Sequence, residues 1–520
     1  MDSISSIGVS IAIICFLILH CFPFKKHLYR FFIISWPVVG MIPGLVLVLH
    51  RVYDFTVELF ESTELTFLFK GPWFVGMDML LTADPANIHY IVNSNFSNFV
   101  KGSDFKEVFD AFEYALLTKD SVAWKNLRKA THVMINHQGF QRLSMSTMRG
   151  KLKDGLVPFF NHTAEEGTTV DLQEVFRRFT FDITLVTVTG CDDPRSLSID
   201  MPEVESAKAL DDIVEGIKYR HVKPRFLWKL QKWTGVGIEK KMTEAGAIFD
   251  RVCAKYISAR REEIKRSQGI DHDHCDGESE DLLTSHIKLD TTKYQLLDPI
   301  NDKFLRDNVL ALILAGRDTI ASALTWFFWL LSENPKAMTK IRQEINKILP
   351  RSSSSSCQET PSYDPMECVN KLMYLHAALC ETMRLYPPVP LERVSPLESD
   401  VLPSGHKVEA NSNILIFIYG VGRMRAVWGE DALDFKPERW ISETGELRHI
   451  PAFKFLAFNA GPRICLGKQL AMILMKNVAV EILQNYDIKV ATGQKFEPDT
   501  SLILRMKHGF KVTINKRCSG

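Results

Sequence analysis

Phe458-Asn-Ala-Gly-Pro-Arg-Ile-Cys-Leu-Gly467 is the stretch on which the reading of this chain turns. It is a loop with glycines on both sides of one cysteine, and a helical pattern, Lys468 to Leu483, follows at once. A thiolate at a helix N-terminus faces free backbone N–H groups and the positive end of the helix dipole. Both lower a cysteine pKa and favour the ionised sulfur. Gly461 and Gly467 can take backbone angles that other residues avoid, and they let a flat ligand approach the main chain. Arg463, two residues before Cys465, offers a fixed cation for an acidic group on that ligand.

A lone cysteine in a tight turn is ordinarily a packing residue. Here the letters F-x-x-G-x-R-x-C-x-G occur together, and their chance occurrence in a chain this long is on the order of one in ten thousand. They describe a cysteine held as an axial ligand of haem iron. The stretch resembles the haem-binding loop of the cytochrome P-450 family. The resemblance implies a single mainly α domain with a small β region. Haem b would lie between a long central helix and the helix after Cys465, with the Cys465 thiolate on its iron and Arg463 at one of its acids.

The 520 residues are 46% hydrophobic and 24% charged, enough for a large core; length suggests two or three domains or one large helical one. A net charge of +1 gives no electrostatic case for nucleic acid. Ten cysteines, without C-x-x-C pairs, argue against a disulfide framework and a zinc site and fit a reducing compartment. Ile7 to Phe22 is almost wholly apolar, and Lys25, Lys26, His27 and Arg30 follow it. A signal peptide carries its basic residues before the apolar run. The order here predicts a retained anchor with the remainder cytosolic. The protein then divides into an anchor (1–24), a basic, Pro/Gly-rich hinge (25–47) and a catalytic domain (48–520). The sequons at Asn95 and Asn161 should stay unmodified.

Trp36 to Gly44 is too dense in proline and glycine for a helix. Leu65 to Phe69 and Met79 to Thr82 predict strands with a turn at Gly71-Pro72. From Asp84 to Leu349 the pattern is mainly helical. Trp124-Lys-Asn-Leu-Arg128 puts an indole and a guanidinium on one helix face, alone an ordinary amphipathic surface. His132 is one turn further on. The acidic segment 271–281 reads as a polar insertion rather than a metal site, and Ser352 to Ser356 as a solvated loop.

Asn301 to Leu331 predicts a long buried helix, apolar on most faces. Ala315-Gly-Arg-Asp-Thr319 sits in its middle, where a glycine and charges are costly. A threonine hydroxyl there can bond back to the preceding turn and distort the helix, and Asp318 with Thr319 makes a carboxylate–alcohol pair able to deliver protons. Glu381-Thr-Met-Arg384 places an acid and a base on one helix face, and Pro437-Glu-Arg-Trp440 follows. Pro387 to Arg393 cannot be helical. Val401 to Val408 and Asn413 to Ile418 read as a hairpin.

The resemblance runs from anchor to C-terminus. It implies that Trp124, Arg128, Arg393 and Arg463 bind the haem propionates, with His132 able to join them. Ala315 to Thr319 becomes the oxygen-activating segment. Glu381, Arg384 and Arg439 become a scaffold triad. Phe109, Phe112, Leu314, Ala315, Val389 and Leu391 would line an apolar substrate pocket. Where some relatives esterify haem through a glutamate at the Ala315 position, this protein has none, so haem should be non-covalent. Electrons would come from an NADPH-dependent cytochrome P-450 reductase docking on Lys125, Lys129, Lys454 and Lys468. Several stretches look like the plant clan of fatty-acid ω-hydroxylases and mid-chain alkane hydroxylases of cuticular wax. The implied activity is hydroxylation of a long-chain lipid at the endoplasmic reticulum membrane. A fatty-acid ω-hydroxylase, a phenol-coupling oxidase, a haem-thiolate isomerase or dehydratase working without oxygen, and a haem sensor are the alternatives.

Overall fold

Helix boundaries fall where side chains can satisfy orphan backbone groups. Asp171 accepts from Gln173 N, and Asn301 from Lys303 N, each opening a long helix. The computed structural model describes residues 34–193, 195–267, 280–349 and 365–517. The proposed anchor, the hinge up to residue 33, most of the acidic insertion and the serine run lie outside them. The helices that position the site are α1 (Ile42–Val48), α2 (Ser121–Asn136), α3 (Leu172–Thr189), α4 (Glu205–Val222), α5 (Arg225–Thr234), α6 (Gly237–Ser267), α7 (Asp302–Glu333), α8 (Met373–Leu385) and α9 (Lys468–Asn485). The strands are β1 (Thr66–Phe69), β2 (Met79–Thr82), β3 (Phe99–Val100), β4 (Thr169–Asp171), β5 (Glu392–Pro396), β6 (Asp400–Val401), β7 (Lys407–Val408), β8 (Asn413–Ile416), β9 (Tyr486–Val490) and β10 (Lys511–Lys516).

The architecture is mainly helical around α7. By length and composition α7 could cross a membrane, yet most of it is buried inside the protein. It lies against α3 at close range: a Cβ on Gly316 would come within 2.8 Å of Thr184, so only glycine permits this approach. Thr180 Oγ1 donates to Arg317 O at 2.8 Å across the same crossing. Further along, Ser322 Oγ and Trp326 Nε1 both donate to Leu504 O (2.7 and 2.8 Å), and Trp326 stacks on Tyr386 at 3.9 Å.

The larger sheet runs β1-β2-β8-β5-β3, and β4-β10-β9 forms a second. Two expectations change here. The segment 413–418 does not form a hairpin with 401–408. β6 pairs with β7, whereas β8 is parallel to β2 and antiparallel to β5. Its alternating burial gives Ile414 and Ile416 to the core, which an isolated hairpin could not offer. Residues 42–48 are helical despite Pro43 and Gly44, because a proline in the first turn lacks only an N–H that would be orphaned anyway. The residues before α1 fold onto the body: Met41 N donates to Lys70 O at 2.8 Å, and a Cβ on Gly40 would strike the Gly71 carbonyl.

Glu381 and Arg384 are brought together on α8 with both side chains fully buried, in a fork-to-fork pair at 2.7 and 2.8 Å. Arg439 approaches the same carboxylate at 3.4 Å, and Trp440 Nε1 and Lys436 N donate to it at 2.9 Å each. Removing the acid strands Arg384 and takes one partner from Arg439, which keeps Asp431 at 2.9 Å. Glu381→Ala should therefore cost about 3–5 kcal/mol, read as a lowered urea midpoint by circular dichroism.

Candidate functional site

The cysteine loop is held from behind by aromatic packing. Trp440, bonded to Glu381, meets Phe455 at 4.6 Å in a T-shaped pair, and Phe455 meets Phe458 at 6.5 Å. Phe458 O accepts from Cys465 N at 2.7 Å. Gly461 has φ +61°, and a Cβ on it would lie 1.9 Å from Val92 O, so this glycine is demanded by the packing of the protein itself rather than by a ligand. At Gly467 a Cβ would sit 3.9 Å from Cys465 Sγ, so its absence keeps the space beside the sulfur open.

Cys465 is exposed although protein crowds it, which places it at the floor of a cleft. Burial pushes its thiol above the ordinary value. The Gly467 and Lys468 N–H groups and the Arg128 guanidinium pull the other way without winning. The sequence led us to expect a lowered thiol. Desolvation outweighs the helix terminus here.

Leu466 and Leu470 pack on the cluster that holds Phe109, Phe112 and Leu314. That cluster joins the cysteine loop to the middle of α7. There Ala315 is exposed within a buried stretch, and Thr319, one turn on, is half-exposed on the same face. Thr319 Oγ1 donates back to Ala315 O at 2.6 Å, while α7 continues unbroken. Val389 and Leu391 are half-exposed, whereas Phe109 and Phe112 are buried. Phe112 is wholly enclosed beside Phe109 (6.3 Å between rings), so it backs the wall rather than lining it.

Asp318 and Thr319, expected as a carboxylate–alcohol pair, sit in different surroundings. Asp318 points away into a buried cluster, 2.9 Å from Arg505, 3.4 Å from Arg177 and 3.8 Å from Arg317, with Asp211 sharing those arginines. Burial alone would raise its pKa, but the three guanidinium groups hold it down to about 2.

The cations divide. Arg128 donates to Ile464 O at 2.6 Å, next to the cysteine, and packs over Trp124. Arg463 lies over Trp124 at 4.6 Å, but its guanidinium is bonded to Asp120 at 2.7 Å. Arg393 donates to Asn413 Oδ1 at 3.0 Å and stands 3.5 Å from Asp104. His132 is exposed, and its side chain joins none of them. Sequence reasoning missed Asp120, Arg177, Asp211, Arg505 and His221. Asp120 was detectable in part: it opens α2 without capping it, because its carboxylate serves Arg463, Lys106 and Lys101 N instead. The donor set of one accessible sulfur, one aromatic–arginine face and three nearby guanidinium groups fits a flat, doubly acidic group carrying a metal. Among the described residues no cluster of three or more His, Cys, Asp or Glu could hold a bare ion.

Comparison with known proteins gives a single family. The model of the cytochrome P450 family matches residues 33–514. An alkane hydroxylase of Arabidopsis thaliana is 53% identical over 484 residues, 93% of each protein. Noroxomaritidine synthase 1 of Narcissus pseudonarcissus is 37% identical over 486 residues, 93% of this protein and 91% of the relative. Cytochrome P450 86B1 of Arabidopsis thaliana is 36% identical over 515 residues, 98% of this protein and 89% of the relative.

The ionisation of Asp318 carries a stability signature. Its folded pKa lies below the unfolded value, so its contribution is complete above the unfolded pKa and is lost as pH falls towards about 2. The advantage of wild type over Asp318→Asn should be on the order of 2 kcal/mol and level above about pH 5, and should narrow below that. Urea midpoints measured across that range check it.

Proposed function

Because the chain belongs to the cytochrome P450 family, we propose that it hydroxylates a carbon in the middle of a long alkane. As a member of that family it is a haem-thiolate monooxygenase. The observation that carries the chemistry is the open Ala315–Thr319 face of α7, joined through one apolar cluster to the loop of Cys465. The substrate class rests on the 53% identity to an alkane hydroxylase. The bound haem supplies dioxygen activation and transfer of one oxygen atom to an unreactive carbon. Cys465 would hold that haem through its sulfur and would supply electron density to it.

Thr319 Oγ1 holds a proton at the open face, shared with Ala315 O. Asp318 is ionised at neutral pH and keeps three arginines in place behind the helix. Arg128, with Trp124, would bind the haem, and Arg393 and Arg463 would take its acidic groups, Arg463 while shared with Asp120. Alanine at 315 offers no carboxylate to esterify haem. Ala315, Leu314, Val389 and Leu391 present apolar surface suited to a hydrocarbon.

In this reading α7 and the loop before α9 would hold the haem, and the catalytic domain would face the cytosol from an endoplasmic reticulum membrane anchored by residues 1–24. Exposed Trp73, Phe74, Phe226 and Trp233 support a membrane-facing side. Lys125, Lys129 and Lys468 are exposed and Lys454 half-exposed, as docking of an NADPH-dependent reductase requires.

Microsomes holding this protein and a reductase, offered alkanes, fatty acids and phenols, should convert alkanes to secondary alcohols in a reaction that needs oxygen and NADPH. Product from fatty acids or phenols alone would overturn the substrate class, and product without oxygen would overturn the reaction. Thr319→Ala should lower product formed per NADPH consumed by about a hundredfold, the lower end of what a proton-transfer group contributes; unchanged coupling removes Thr319 from the mechanism.

A further inference from the structure

Beside Phe109, one of the residues expected at the substrate pocket, stands a polar group that neither the motifs nor the reaction uses. His221 stands in the last turn of α4. Its ring lies edge-on to Phe109 at 5.6 Å, and Phe109 itself stacks on Phe105 at 4.3 Å. The preceding residue, Arg220, fixes this turn. It bonds Glu239 through two nitrogens (2.8 and 2.7 Å), Asp110 at 2.7 Å and Val108 O at 3.1 Å, with its guanidinium over Trp228 at 4.8 Å. The helix end is thereby clamped to the segment that carries Phe109.

His221 Nδ1 lies 2.9 Å from Ile217 O. A carbonyl only accepts, so the neutral ring carries its proton on Nδ1 and leaves a lone pair on Nε2. Burial pushes the ring down to about 4, with Arg393 the charge that adds to the effect, so it is neutral at cellular pH. Nε2 has no partner among the described residues, yet it is not sealed off in the packing. A half-exposed acceptor beside Phe109 can accept a hydrogen bond from a ligand.

The geometry points to His221 as a specificity-determining residue whose Nε2 accepts a hydrogen bond from a hydroxyl on a long apolar ligand. The class is a long-chain alcohol or a phenol; a carboxylate has no proton to offer and meets a lone pair instead. This rests on the proposed hydroxylase reading and deepens it. Hydroxylation of an alkane creates such a donor, so the product should be held more tightly than the substrate.

Two matched ligand pairs test it on the haem-loaded full-length protein: an alkane with its secondary alcohol, and a phenol with its methyl ether. Dissociation constants are measured for wild type, His221→Leu and His221→Gln. The hydroxyl-bearing member should lose about tenfold relative to its partner in His221→Leu, the worth of one hydrogen bond. Part of that should return in His221→Gln, whose amide oxygen can accept. A ratio unchanged in His221→Leu, in whichever pair the wild type binds, overturns the assignment. Failure of the wild type to convert alkane overturns the hydroxylase reading instead, and the phenol pair then decides the role of His221.

Discussion

The carboxylate of Glu381 is the constraint on which the site depends. It is fully buried, and a charge there is tolerable only with partners on every side. Arg384, Arg439, Trp440 Nε1 and Lys436 N supply them. Arg384 also reaches the carbonyls of Gly422, Ala432 (2.6 Å) and Asp434 (3.0 Å), and Arg439 those of Trp428 (2.9 Å) and Asp431 (3.0 Å). One acid thus ties α8 to an irregular segment that has no ladder or helix of its own to satisfy its backbone. Through Trp440, Phe455 and Phe458 the same acid reaches the carbonyl that fixes Cys465. The sulfur is placed by an ion pair far from it in sequence.

Buried charge recurs on the other side of the site with a different result. Asp318 and Asp211 share three arginines behind α7, which keeps the open face of that helix apolar except for Thr319. Asp120 restrains Arg463 in the same way at the start of α2. Each arrangement offsets desolvation with opposite charge inside the protein, so the groups at the cleft are held before any ligand arrives.

The motifs were legible because their chemistry is local. Cys465 with its glycines, Ala315 to Thr319, and Glu381 with Arg384 each lie within one turn or loop, where spacing alone puts the groups together. The long helix α7 and the strands β1 and β2 were legible from period and length. The hairpin assignment failed because β8 is chosen by partners β2 and β5 that sequence proximity does not reveal. The helix at residues 42–48 was missed because proline in a first turn looks like a breaker and is not one.

By itself the sequence determined the family resemblance, the cysteine loop, the central helix and the pair Glu381–Arg384, because each is a local pattern whose residues meet by construction. Tertiary structure alone decided the ionisation of Asp318, the sharing of Arg463 with Asp120 and the lone pair of His221. Each of these depends on groups far away in sequence, or on burial, and neither distance in space nor desolvation is written in the spacing of residues.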